Sequence, residues 1–298
     1  MAVSAPIDHI ERGINDPALP GMRRAPRRLA ASDDAAFFGL LSGAANVIME
    51  LARPGVGYGV KDSRVESGRA DRHPIKRART TFTYLAVALS GTEEQKKAYR
   101  RAVNRSHAEV YSRPGDPVEY NAFNKDLQLW VAACIYKGFV DTYRIFVGEM
   151  DDKWADEHYQ EGMTLGTTLQ VTADMWPADR KAFDEYWRQS LDLVHIDDAV
   201  REYLFPIAAG RVAGLRLPRS IERRIDAVNL FITTGFLPQR FRDEMKLPWD
   251  ETKQRRFNRV MAGLGRINRV SPRFVRRFPF NWMLRDLDWR LRTGRPLI

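Results

Sequence analysis

The 298-residue chain holds one cysteine, Cys134, which excludes an intramolecular disulfide and any multi-cysteine zinc site. Histidine is also scarce, with five in the whole chain. No window approaches the roughly 18 unbroken apolar residues of a membrane helix. The opening MAVSAPIDHIERG has neither an apolar signal core nor the Arg-rich character of a transit peptide. Phosphate-binding glycine loops of the G-x-G-x-x-G or Walker type are missing, and so is a G-x-S-x-G nucleophile elbow. Strand-like alternation is rare and no segment repeats. These absences leave a cytoplasmic, soluble, all-α protein as the expectation: a single multi-helix domain.

A core is affordable in size, because 44% of the residues are hydrophobic. The charge is unevenly placed. Residues 251–298 hold thirteen Lys or Arg against three Asp or Glu, an excess equal to the net +10 of the entire chain. The preceding 250 residues therefore balance. Three parts follow: an arm at 1–32, a helical domain at 33–250, and a basic C-terminal segment at 251–298 packed on it. Phe274, Phe278, Phe280, Trp282 and Trp289 interleave with that segment's arginines. This reads first as a solvated basic stretch wrapping the domain with its aromatics buried underneath, and next as a mixture suited to an anionic membrane surface. Nucleic acid is the weaker expectation, since no helix-turn-helix, zinc finger or RNP-like run accompanies the charge.

Helix punctuation is clear. Ser32 is placed to cap an apolar helix that runs to a Pro-Gly stop at Pro54 and Gly55, with small residues Gly43, Ala44 and Ala45 in its body. A second helix ends at Ser90-Gly91. Thr92 and Gln95 have the spacing of a capping box for the next. On that helix Tyr99, Ala102, Val103, Ser106, His107 and Val110 share one face, so His107 points inward. A long apolar helix ends at Gly148, and further helices are expected near 151–165, 178–192, 197–209, 219–235 and 252–270.

The remaining histidines offer little. His195-Ile-Asp197 has the spacing of an iron-binding pair, yet no further histidine follows, and the adjacent acids read as a helix start. Asp151-Asp152 and Asp197-Asp198 lack the later aspartate that would put two carboxylates on one Mg²⁺-binding helix face. His9, His73, His158 and His195 fall at expected termini or loops. An inward His107 is either a core residue bonded to a carbonyl or an axial haem ligand. Arg77 and Thr81, four residues apart on the preceding helix, supply a cation and a hydroxyl on one face.

Five runs carry a family resemblance: GAANVIMELARPGVGYGVKDS, RARTTFTYLAVALSGT, RSHAEV, YNAFNKDLQLWVAACIY and LFITTGFLPQRFRDEMKLPWD. In this order the chain resembles the rubber oxygenases (latex-clearing proteins) and the MpaB-type oxygenases. The resemblance implies an all-α fold around b-type haem, an oxygenase that works with O₂, and an apolar, unsaturated or aromatic, small-molecule substrate. It places the iron ligand on His107, and Arg77 and Thr81 across the haem, where Arg77 can equally meet a propionate. Gly43, Ala44 and Trp130 are expected to shape the pocket. Rubber oxygenases have a lysine where this chain has Thr80, so a lysine-ligated state is not expected. Ala132 and Arg53 replace common family histidines, and Glu66, the nearest glutamate upstream of Arg77, stands at a different spacing from the family's acidic base. The alternatives are a haem-binding protein without catalysis and a basic peripheral protein on the same scaffold.

Overall fold

The computed structural model describes residues 35–65, 74–211 and 218–298. In chain order the helices are α1 (Ala36–Gly39), a 3₁₀ turn (Leu40–Ser42), α2 (Gly43–Leu51), α3 (Pro54–Lys61), α4 (Pro74–Ser90) and α5 (Glu93–His107). Then come α6 (Lys125–Phe146), α7 (Asp152–Gly162), α8 (Thr164–Thr167), α9 (Arg180–Leu191) and α10 (Asp198–Ala208). The last are α11 (Arg219–Phe236), α12 (Gln239–Glu244), α13 (Glu251–Val270), α14 (Arg273–Arg276) and α15 (Phe280–Thr293). No strand occurs among the described residues, so the fold is all-α. The arm at 1–32, the Ser32 cap, Glu66, His9 and His73 lie outside the described residues.

Local chemistry sets most of these boundaries. Thr92 accepts the Gln95 backbone N–H (3.2 Å) while the Gln95 side chain accepts the Thr92 N–H (2.8 Å), completing the expected capping box. Asn124 opens α6 by accepting the N–H groups of Asp126 and Leu127. Asp151, Asp179, Asp197 and Asp250 cap α7, α9, α10 and α13 in the same manner.

One expected boundary is wrong. The run before Pro54 is not a single helix ending there: it breaks at the 3₁₀ turn, and Pro54 begins α3 instead of stopping the chain. Proline is suited to the first helical position, where its missing N–H is not needed. The chain bends by 110° between the α1–α2 run and α3. A Cβ added at Gly57 would lie 2.6 Å from the Leu51 carbonyl, so the start of α3 can press against the end of α2 only without a side chain. No single described helix is long and apolar enough to cross a membrane, and the bent pair buries Ile48, Leu51 and Tyr58 in the core.

The central element is α6, with α2, α8 and α13 packed along it. Trp130, Cys134, Tyr136, Tyr143 and Phe146 on it are fully buried. Asn46 of α2 donates to the Cys134 carbonyl (2.8 Å), and a Cβ at Gly138 would collide with that amide. The C-terminal segment is part of this construction. Phe257 and Met261 of α13 and Phe280 of α15 enter the main core, and α15 packs on α4, where Arg79 meets Asp286 at 3.6 Å.

Within α6, Lys137 donates to both Asp141 carboxylate oxygens (2.9 and 3.0 Å), and both side chains are buried. Burial pushes the Asp141 carboxyl upward, and Lys137 holds it back. Removing one partner strands a buried charge, whereas removing both leaves an apolar site. Lys137→Met is therefore expected to cost about 3–5 kcal/mol in urea unfolding, and Lys137→Met with Asp141→Leu to recover most of it.

Candidate functional site

His107 ends α5, and its position is fixed from both sides. Three residues before it, Asn104 accepts from the Gln170 side chain (2.8 Å). Gln170 accepts from the Gln128 amide (2.6 Å) and donates its backbone N–H back to Gln128 (3.0 Å). Gln128 is buried on α6 and also donates to the Ala122 carbonyl (2.7 Å). This chain of amides ties the end of α5 to the central helix. Beyond His107, Val110 donates its N–H to the His107 carbonyl (3.0 Å), and the Phe123 ring stands edge-on at 6.2 Å from the imidazole.

A cavity of about 250 Å³ opens beside this imidazole. Its walls come from α2 through α6 and from α8, and are mostly apolar, with Val56, Val60, Leu85, Val103 and Val131 among them. Apart from tyrosines, its ionisable side chains are Glu50, Arg77 and His107; Thr80, Thr81 and Ser106 add hydroxyls. Thr80 is spoken for, because its hydroxyl donates to the Lys76 carbonyl (2.9 Å). Among the described residues no acid pairs with Arg77.

Arg77, Thr81 and His107, singled out in the sequence, thus share one cavity. Gly43, Ala44 and Trp130 do not line it, which corrects the expectation that they shape the pocket. Trp130 precedes the lining residue Val131, and a helix turns by about 100° between neighbours. It faces α9 instead, stacking on Trp187 at 5.2 Å under the Arg53 guanidinium. Its indole N–H donates to the Glu50 carbonyl (3.1 Å), so it anchors the backbone of a cavity residue from behind.

Glu50 escaped sequence reading. It is the lone acid in an apolar helix, and Arg53 three residues on gives it the spacing of a surface ion pair, whereas in the fold Arg53 lies over the Trp130 ring. Burial pushes its carboxyl up to about 7, with Arg77 pulling the other way. Burial foremost, and Arg77 second, push the His107 imidazole down to about 4. Its Nδ1 is buried without a hydrogen-bond partner. Near neutral pH the cavity therefore holds a neutral imidazole, a carboxyl near its midpoint and a guanidinium.

The other candidates have ordinary roles or no partners to share. Asp197 caps α10 and accepts the Tyr58 hydroxyl (2.6 Å), while the neighbouring His195 is exposed, so His195-Ile-Asp197 is a helix start. His158 is not in a loop: it is buried within α7 against Tyr136 and Trp154. Among the described residues no group of three or more His, Cys, Asp or Glu converges on a bare metal ion.

Residues 33–266 match the family model described as ER-bound oxygenase mpaB/B'/Rubber oxygenase, catalytic domain, and the chain belongs to that family of oxygenase catalytic domains. Uncharacterized protein Rv2237 of Mycobacterium tuberculosis (strain H37Rv) is 48% identical over 259 residues, 87% of this chain and 100% of that protein. Uncharacterized protein Mb2261 of Mycobacterium bovis matches to the same extent, 48% over 259 residues. No solved structure matches the chain.

The two perturbed groups impose opposite pH dependences. Glu50 keeps its proton in the folded chain to about pH 7 but loses it near 4.5 when unfolded. The unfolded state holds fewer protons across that window, so stability falls as pH rises through it. His107 acts between 6.5 and about 4, where stability falls as pH falls. Cofactor-free Glu50→Gln protein is expected to gain about 1–3 kcal/mol over wild type at pH 8, and almost nothing near pH 4.5. Thermal melts across pH check this; equal offsets at both ends would mean that Glu50 is not held protonated.

Proposed function

We propose that this chain binds haem b in the cavity shared by His107, Arg77 and Thr81, and uses it with O₂ to oxidise an apolar small molecule, unsaturated or aromatic. The observation that carries the reading is the His107 imidazole: neutral, facing an apolar cavity from the end of an anchored helix, with a buried nitrogen lacking a partner. One imidazole is too few to hold a bare ion. It suffices for a macrocycle that brings its own equatorial nitrogens, so the residues present fit the group. Family membership supports the oxygenase class.

Bound haem would supply the redox chemistry with O₂. The chain would do the rest. His107 offers a lone pair at any pH well above 4, because burial keeps its imidazole unprotonated. Arg77 places a cation in low-dielectric surroundings, where it would meet a propionate of the bound group. Thr81 adds a hydroxyl one helical turn away, and the aliphatic wall from α3 and α6 admits apolar matter and displaces water.

The reading is tested by absorption spectra of purified protein, oxidised and reduced with carbon monoxide. Wild type is expected to show a Soret band that His107→Ala weakens or shifts. Arg77→Ala is expected to retain the band but to bind haem about tenfold more weakly or worse, the loss of one charge-assisted contact. A band indifferent to His107→Ala moves the ligand elsewhere, and no band after haem reconstitution ends the proposal.

A further inference from the structure

Opposite chemistries meet on the outer face of the last three helices. Residues 252–285 contain ten Lys or Arg and no acid. Within this stretch the turn from α13 to α15 exposes large apolar side chains that a water-facing surface has no reason to display: Val270 is 82% exposed, Phe274 69% and Trp282 62%. Two of these are not scattered: Phe274 and Trp282 line one groove with Phe37, Phe278 and Arg285, and Phe278 stands 6.2 Å from Phe37 and 6.0 Å from Trp282. Arg285 of the groove and Arg266, Arg269 and Arg273 on the same three-helix stretch are exposed, and none of these four is paired with an acid among the described residues.

We propose that this face is a docking surface for an anionic lipid bilayer, with Phe274 and Trp282 entering the headgroup region and the surrounding arginines meeting lipid phosphates. The charge argument selects this occupant. A second copy of the chain would bring the same arginines against these, whereas an anionic bilayer offers dense negative charge above a medium that accepts aromatic rings. Single-stranded nucleic acid satisfies the arginines but gains nothing from aliphatic Val270 at the most exposed position. The inner faces of α13 and α15 are already engaged in the core through Phe257, Met261, Phe280 and Leu287, so docking requires no rearrangement of the fold.

The test is flotation of the full chain with vesicles of phosphatidylcholine alone and with about a third phosphatidylserine, at low and high salt. Expected is flotation only with the anionic vesicles, reversed by high salt. Arg273→Gln with Arg285→Gln is expected to lower partitioning about 30-fold, following the contribution of each cation near a charged bilayer. Phe274→Ser with Trp282→Ser is expected to lower it at least tenfold with the melting temperature unchanged, since both side chains are exposed. No flotation with either vesicle, equal flotation with both, or insensitivity to the aromatic pair overturns the proposal. So does a concentration-dependent dimer that the aromatic pair abolishes, which assigns the face to a second copy. Binding to single-stranded RNA that ignores the aromatic substitutions and outcompetes the vesicles overturns it in favour of nucleic acid.

Discussion

The fold depends on one helix being sealed from water along most of its length. Twenty-two residues of α6 run through the centre, and a helix in that position can keep polar side chains only if each finds an answer inside the protein. The answers are what fix the neighbours. Asn46 on the Cys134 carbonyl sets the height of α2, and Ser42 against Thr142 (3.1 Å) sets its beginning. The Gln128 amide sets the end of α5 through Gln170 and Asn104. Once α2 is pinned, the bend before Pro54 throws α3 across its end. The gap left between α3, α4 and α6 is the cavity. The position of His107 is thus a consequence of hydrogen bonding on α6 more than of anything in α5.

That origin accounts for the cavity's electrical character. Three ionisable side chains reach it from separate helices, and none is neutralised by a close partner of opposite charge. Burial dominates two of their states, favouring an uncharged imidazole and raising the carboxyl to about 7, with Arg77 acting second on both. A space with one cation in apolar walls is suited to a guest that is mostly greasy and carries a little negative charge.

Much of this was legible in the sequence because short-range rules governed it. The capping box at Thr92, the stop after Ser90 and the inward face of α5 follow from spacing alone, and each is present. Pro54 has the sequence look of a stop and is a start, since proline is compatible with both ends of a connection and only packing against α2 decides. Trp130 and Glu50 exchanged places for a related reason. Periodicity puts a tryptophan indoors without saying which of two interiors it faces, and an isolated acid in an apolar helix looks like a solvated residue until the fold closes over it. His158 is grouped by sequence with the histidines of termini and loops although it falls inside the helix expected at 151–165, and in the fold Tyr136 and Trp154 pack against it. The family resemblance located Arg77, Thr81 and His107, and the structure brings all three to one space.

The lone cysteine has a consequence of its own. Cys134 lies at the middle of α6 with no accessible surface, and burial raises its thiol well above the usual range, so the thiolate that oxidants and alkylating reagents attack is not formed in the folded chain. Its reactivity is then a measure of how often the central helix comes free of its neighbours. The chain carries an internal clock for global opening, one that surface motions and ligand exchange at the cavity leave unread.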